Sequence, residues 1–174
     1  MRHGLITFVA SMIGVLVALL AYRTYDRHAL EQSRKAELQV QQQSQQQGEQ
    51  LDAMVAAEQR AIEAIRADVV AASPAKLAIA EYYMSMARMP TSNAEAGVPE
   101  PTKYRGRSLR SMAIVDGGRL RLEFDAVSGR EGGVIELVPD LGGAEAMGVQ
   151  WLCTTRDFPQ IVRALPSCEY VGRK

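Results

Sequence analysis

The chain has 174 residues, 20 of them basic and 20 acidic, with a formal net charge of 0. Balanced charge gives no global field to gather nucleic acid or to hold an acidic membrane surface. Two cysteines are too few for a four-ligand zinc site, and both histidines, His3 and His28, sit near the N-terminus, which leaves no Ser/His or Cys/His pair for the C-terminal half.

No charge interrupts Gly4 to Tyr22, and those 19 residues are almost wholly apolar. As a helix they would rise roughly 28 Å, close to the hydrocarbon thickness of a bilayer. Tyr22, Arg23 and Tyr25 follow in the manner of an interface belt. The expectation is a single transmembrane helix over 4–22 behind a short cytoplasmic or leader segment, 1–3. A cleaved secretory signal would need a shorter apolar core and an A-x-A-like site, for which Leu19-Leu20-Ala21-Tyr22 is a poor match. Two arguments on orientation conflict. Arg23, Arg27, Arg34 and Lys35 outnumber the positive charges before the span, which would keep the following chain in the cytosol. A cysteine pair that oxidises would put it outside, and this argument is preferred.

From Arg23 to Ala72 there is no proline and one glycine, Gly48, and good helix formers dominate. A helical stalk over 23–72 is expected, on the order of 75 Å long if unbroken. Gln39 to Gln50 is a polar low-complexity tract without an apolar face, and Gly48 within it is the expected hinge. Beyond it Leu51, Val55, Ile62, Ile65 and Val69 form an amphipathic stripe, interrupted by Glu58. Packing of this stripe onto the chain's own head is favoured over a coiled-coil seam, because fewer than three clean heptads are present.

Ser73-Pro74 predicts a helix restart, with Ser73 as N-cap and Pro74 in the first turn. The second helix should end near Met89-Pro90 and bury Leu77, Tyr83 and Met84. Pro90 to Pro101 reads as loop. The period then changes to two. Leu109–Val115 and Arg119–Asp125 flank Asp116-Gly117-Gly118 as a hairpin, with Leu120, Leu122 and Phe124 on one face. A third strand over 133–139 turns Ile135 and Leu137 inward, and a fourth over 149–154 carries Trp151 and Cys153. The expected fold is α+β: a helix packed on a four-stranded antiparallel sheet, in a head over 73–174 that folds without the residues before it. Cys153 and Cys168, exported together, most simply form one disulfide; the alternative is two free buried thiols. Phe158, Ile161 and Leu165 should tuck beneath the loop they bound.

The polar residues offer little chemistry. Glu123 and Asp125 read as solvated carboxylates, and the Gly-Gly pairs read as turns, since no Lys-bearing helix N-terminus follows them. Lys103, Arg105, Arg107 and Arg110, beside Tyr104, admit two readings. One is a phosphate-gripping DNA contact; the other, preferred, is a charged edge strand that discourages aggregation.

The runs Ala78 to Gly97, Gly132 to Pro139, V-Q-W-L-C-T-T and L-P-S-C together resemble the helix-to-loop segment, last strands and disulfide loop of bacterial type IV pilins. The resemblance covers Ala75 to Tyr170. It implies a long N-terminal helix on an antiparallel sheet, and a role for the region between the two cysteines in subunit contacts and surface display. It also implies leader processing at Gly4-Leu5, but the start of the chain departs from the family. Leu5 stands where phenylalanine is usual and Val9 where glutamate is usual. That glutamate is thought to neutralise a neighbour's terminal amine inside the fibre. The stalk is longer than the family's helix by roughly the Gln tract, which would displace the head on the order of 20 Å.

Three functions follow as expectations. The first is a non-catalytic, membrane-anchored pilin-like subunit, minor or atypical, of a type IV pilus or related assembly with a part in cell adhesion. Its partners would be the bacterial inner membrane, other pilin-like subunits or pilus machinery, and itself through the stalk. The second is a periplasmic scaffold with the pilin fold that never enters a fibre. The third, least favoured, is a DNA-binding uptake subunit. None of the three requires a cofactor, a metal or a small-molecule substrate.

Overall fold

A computed structural model describes the backbone of residues 2–144 and 148–172, and their side chains from residue 34 onward. Contacts divide the chain into two compact units, Met1–Ala53 and Met54–Lys174. The first unit is helical: α1 runs from Arg2 to Ala71, and Gly48 does not break it. The residues from Arg34 to Ala53 are exposed throughout, as the polar composition of the Gln tract requires. Gly4–Tyr22 lies outside the residues whose side chains are described. Among the described residues no helix is long and apolar enough to cross a membrane.

The second unit begins before the expected head. Leu51 and Val55 are exposed, but from Ala61 α1 is packed: Ala61, Ala64, Ile65 and Asp68 are buried, with Ile62 and Val69 half-buried against the same core. Packing on the chain's own head therefore describes the stripe from Ile62 to Val69 and not its first two members. The helix breaks at Ala72 and resumes as α2, Ser73–Met86, with Pro74 in its first turn. Ser73 is not the N-cap. That place falls to Ala72, and the Ser73 hydroxyl donates to the Val70 carbonyl at 2.7 Å. Pro74 has no N–H to offer that carbonyl, so the hydroxyl takes its place.

The buried stripe crosses the break in step. Ala61, Ile65, Asp68, Ala72, Ala75 and Ile79 follow one another at alternating spacings of four and three, one helix face at 3.6 residues per turn. The expected face of α2 is thus corrected. Leu77 is 60% exposed and Met84 74% exposed, while Tyr83 is half-buried. α2 ends at Ala87, which adopts a left-handed φ of 52° and returns its N–H to the Tyr83 carbonyl.

The sheet has five strands in the order β1 (Leu109–Val115), β2 (Arg119–Phe124), β3 (Val134–Asp140), β4 (Gln150–Thr155) and β5 (Cys168–Tyr170). β1 to β4 form the antiparallel meander; β5 runs parallel to β4. The expected four-strand count is corrected by this short strand, which has no alternating pattern of its own. A register shift between Leu109 and Ser111 lets Leu109, Met112 and Ile114 all reach the core. Leu120, Leu122, Phe124, Ile135 and Leu137 meet the helical stripe there, with Trp151 half-buried at the margin. The β1–β2 turn uses Gly117 and Gly118 at φ 78° and 69°, where a side chain would be strained.

β1 is an edge strand, and the loop after α2 covers it. Asn93, buried, donates to the Met112 carbonyl at 3.0 Å and to the Pro99 carbonyl at 2.7 Å, and accepts from the Ile114 N–H at 2.6 Å. Its amide does what a neighbouring strand's peptide would do. Glu95 steadies the same loop by accepting from the Thr91 N–H at 2.6 Å. That bond and Arg88 hold its carboxyl below the usual range. Asn93→Ala leaves three backbone groups without their partner and should cost about 2–3 kcal/mol in urea unfolding. A loss below about 0.5 kcal/mol would show that water substitutes freely at this edge.

Candidate functional site

The C-terminal loop is built onto the sheet at one end and onto α1 at the other. Cys153 and Cys168 are register partners in β4 and β5, with Cα atoms 4.4 Å apart, and are joined by a disulfide. Inside the loop, Phe158 meets Phe124 edge-on at 5.8 Å, and Ile161, Ala164 and Phe158 enter the core while Leu165 packs against it. The expected tucking of this loop is what the structure has. Thr155 and Asp157 grip the start of β3 between them: the Thr155 hydroxyl donates to the Val134 carbonyl at 2.6 Å, and Asp157 accepts the Val134 N–H at 2.9 Å.

The other tether comes from α1. Arg66 donates to the carbonyls of Ala164 at 3.1 Å and Arg163 at 3.4 Å, and Arg163 pairs with Glu58. Between α1, the β2–β3 loop and the disulfide loop lies a groove of 670 Å³. Its apolar lining comes from Ala57, Ala61, Ile62, Val127, Phe158 and Ile161, and its rim carries Arg60, the Glu58–Arg163 pair and the Arg130–Asp157 pair. The size is that of a pocket for a small ligand or an inserted side-chain cluster. Among the described residues no group of His, Cys, Asp or Glu is arranged to hold a metal ion.

The basic residues do not form one row. Lys103 lies in a 3-10 turn, Arg105 and Arg107 lie in the segment before β1, and only Arg110 is in the strand, where it pairs with Glu131 at 2.9 Å. Arg107 contributes its backbone N–H, which donates to Asp68 at 2.8 Å. Tyr104 is half-buried, and desolvation pushes its phenol up. Gly4 and Leu5 lie outside the residues whose side chains are described. Glu123 accepts from Ser111 at 3.5 Å, and Asp125 accepts the Val127 N–H at 2.9 Å.

Sequence reading missed Asp68 and Asn93, which fasten α1 and the loop after α2 to β1 and the segment before it, and Arg66, which fastens α1 to the disulfide loop. Asp68 had one signal, an acid on the line of the apolar stripe. Asn93, the only asparagine in the chain, had none beyond its loop.

Removing the disulfide by Cys153→Ser with Cys168→Ser should cost roughly 3 kcal/mol, the closure entropy of a loop this long. The wild-type protein, unfolded without reductant, should show no free thiol to a labelling reagent. Two labelled cysteines would overturn the pairing.

A helix laid across a mainly antiparallel sheet, with a disulfide-closed loop tied back to that helix, defines an α+β head within the 54–174 unit. A family model of pilin, the bacterial filament protein, matches residues 64–168, from the buried stripe of α1 to the second cysteine. The chain belongs to this family and is a type IV pilin-like protein. A search of curated proteins finds no match to it.

Proposed function

We propose that this protein is a non-catalytic, membrane-anchored subunit that joins a type IV pilus or related assembly sparsely. The observation that carries the reading is the pilin match over 64–168, on a head whose disulfide loop is bound to α1 by Arg66 and Arg163. A loop fixed in this way keeps one shape for contacts with neighbours. Gly4–Tyr22 supplies the inner-membrane anchor, with the head in the periplasm or on the pilus. The sparse role follows from Val9. A terminal amine freed by cleavage after Gly4 would enter an apolar fibre core without a carboxylate, at a cost of several kcal/mol. The same residue favours a second reading, a scaffold that stays in the membrane uncut.

Sheared fibres and inner membranes are compared by quantitative mass spectrometry, with the mature N-terminus read directly. The subunit reading expects a cut chain present as a trace component, and Val9→Glu should raise its incorporation about tenfold or more, since about 1.4 kcal/mol corresponds to a factor of ten. An uncut chain confined to the membrane would support the scaffold. A wild-type chain that dominates the fibres would refute both.

A further inference from the structure

The groove beside α1 has a direction. Ala57, Ala61 and Ile65 stand about one turn apart on the face of α1 that lines it, a track on the order of 12 Å long. Burial is graded along it: Ala57 is exposed, while Ala61 and Ile65 are buried. The track is therefore open at its Ala57 end and closed by the core at Ile65. Phe158 and Ile161 of the disulfide loop and Val127 of the β2–β3 loop form the facing walls. Charge lies at the open end. The rim holds three arginines against two acids. Arg163 pairs with Glu58 and Arg130 with Asp157, while Arg60 forms no ion pair among the described residues. The Arg60 Nε donates to the Ala56 carbonyl at 3.2 Å. That bond turns the guanidinium back toward the Ala57 end and leaves its two terminal amino groups for a ligand.

We propose that the groove binds a single-chain fatty carboxylate, with the acyl chain along the Ala57–Ile65 track and the carboxylate on Arg60. An acyl chain suits a track that is long, apolar and closed at its far end, and 670 Å³ is within the range of small-ligand sites. A carboxylate suits Arg60 because a guanidinium can meet it with two parallel N–H···O bonds. The other two arginines stay with their own acids, so the groove matches one negative group and not a polyanion. The disulfide and the Arg66 tether hold the wall that carries Phe158 and Ile161 before the ligand arrives, so binding requires little reordering. No neighbouring subunit takes part, and the site stands apart from the subunit reading.

A photoreactive fatty acid tests the site in the full-length chain held in lipid nanodiscs. Laurate carrying a diazirine is added, the sample is irradiated and labelled peptides are identified by mass spectrometry, which separates probe in the bilayer from probe in the groove. Labels are expected on residues 57–65 and 158–164. Unlabelled laurate should displace the probe there, and dodecanol, with the same chain and no carboxylate, should need about tenfold more. Arg60→Gln should lower groove labelling about tenfold, and Ala57→Leu, which fills the open end, should abolish it. Both positions are exposed, so both variants should melt with the wild type. If one does disturb folding, the comparison of laurate with dodecanol on the wild-type chain still decides the role of the carboxylate. Labels confined to residues 4–22, or groove labels that Arg60→Gln leaves unchanged, would overturn the proposal. Equal displacement by laurate and dodecanol would overturn the carboxylate, and stronger displacement by benzoate than by laurate would overturn the acyl chain. Recovery of the chain in sheared fibres is read separately, so failure here leaves the subunit reading standing.

Discussion

A fragment that begins at Ser73 should not melt cooperatively, whereas one that begins at Met54 should unfold in a single transition. The shorter fragment loses Ala61, Ala64, Ile65 and Asp68, all buried, with half-buried Ile62 and Val69. Burying a side chain the size of Ile65 is worth about 1.5–3 kcal/mol, and the several lost here together approach the whole stability of a domain, about 5–15 kcal/mol. The loss also opens the sheet. Leu120, Leu122, Phe124 and Ile135 are fully buried beneath the helical stripe, and half of that stripe precedes the break at Ala72. The expected product is a collapsed species that binds a hydrophobic dye and lacks near-ultraviolet dichroism. A sharp thermal transition for the fragment from Ser73 would show that α2 alone covers the sheet.

Asp68→Ala should be the most damaging point substitution outside the apolar core. The carboxylate is 2% exposed. It accepts the N–H of Arg107 at 2.8 Å, the N–H of Ser108 at 2.7 Å and the Ser108 hydroxyl at 2.8 Å. These bonds pin the start of β1 to α1, and Gly106 lies so near that a Cβ there would run into the carboxylate. Alanine leaves two backbone donors and a hydroxyl buried without a partner, at about 3–5 kcal/mol. Asp68→Asn keeps one acceptor but turns an amide N–H₂ toward donors, so it should recover only part of the loss. Urea titration of the three proteins decides it. A loss under about 1 kcal/mol for alanine would mean that the segment before β1 finds other partners.

Much of the head was legible because it obeys local rules. The hairpin of β1 and β2, with Asp116-Gly117-Gly118 between them, follows from strict alternation around a glycine turn, and β3 and β4 fall within a residue or so of their expected bounds. The break before Ser73-Pro74 needs only the missing N–H of proline. The disulfide needed only a count of cysteines and an assumption about compartment. The family resemblance rested on the same C-terminal half that the pilin model matches.

The stripe from Ile62 to Val69 was legible, but the buried face of α2 was not, for a physical reason. Hydrophobic size points to Leu77, Tyr83 and Met84 in α2, but a helix packed closely on a sheet buries its small residues. The face that meets the core carries Ala61, Ala72 and Ala75 alongside Ile65 and Ile79, with one aspartate among them. Asp68 reads as polar until its partners, some forty residues later, come into range. β5 reads as loop because three residues have no period; it becomes a strand only where Cys168 lies beside Cys153 in β4. Asn93 likewise acquires its role only when an edge strand lacks a neighbour. Sequence by itself determined the order of the two helices and of β1 to β4, the stripe from Ile62 to Val69 and the cysteine pair, since each follows from local pattern or a simple count. Tertiary structure decided which face of α2 is buried, that Cys168 begins a fifth strand, where the compact unit begins and which side chains fasten the helices to the sheet, because each depends on groups that the fold alone brings together.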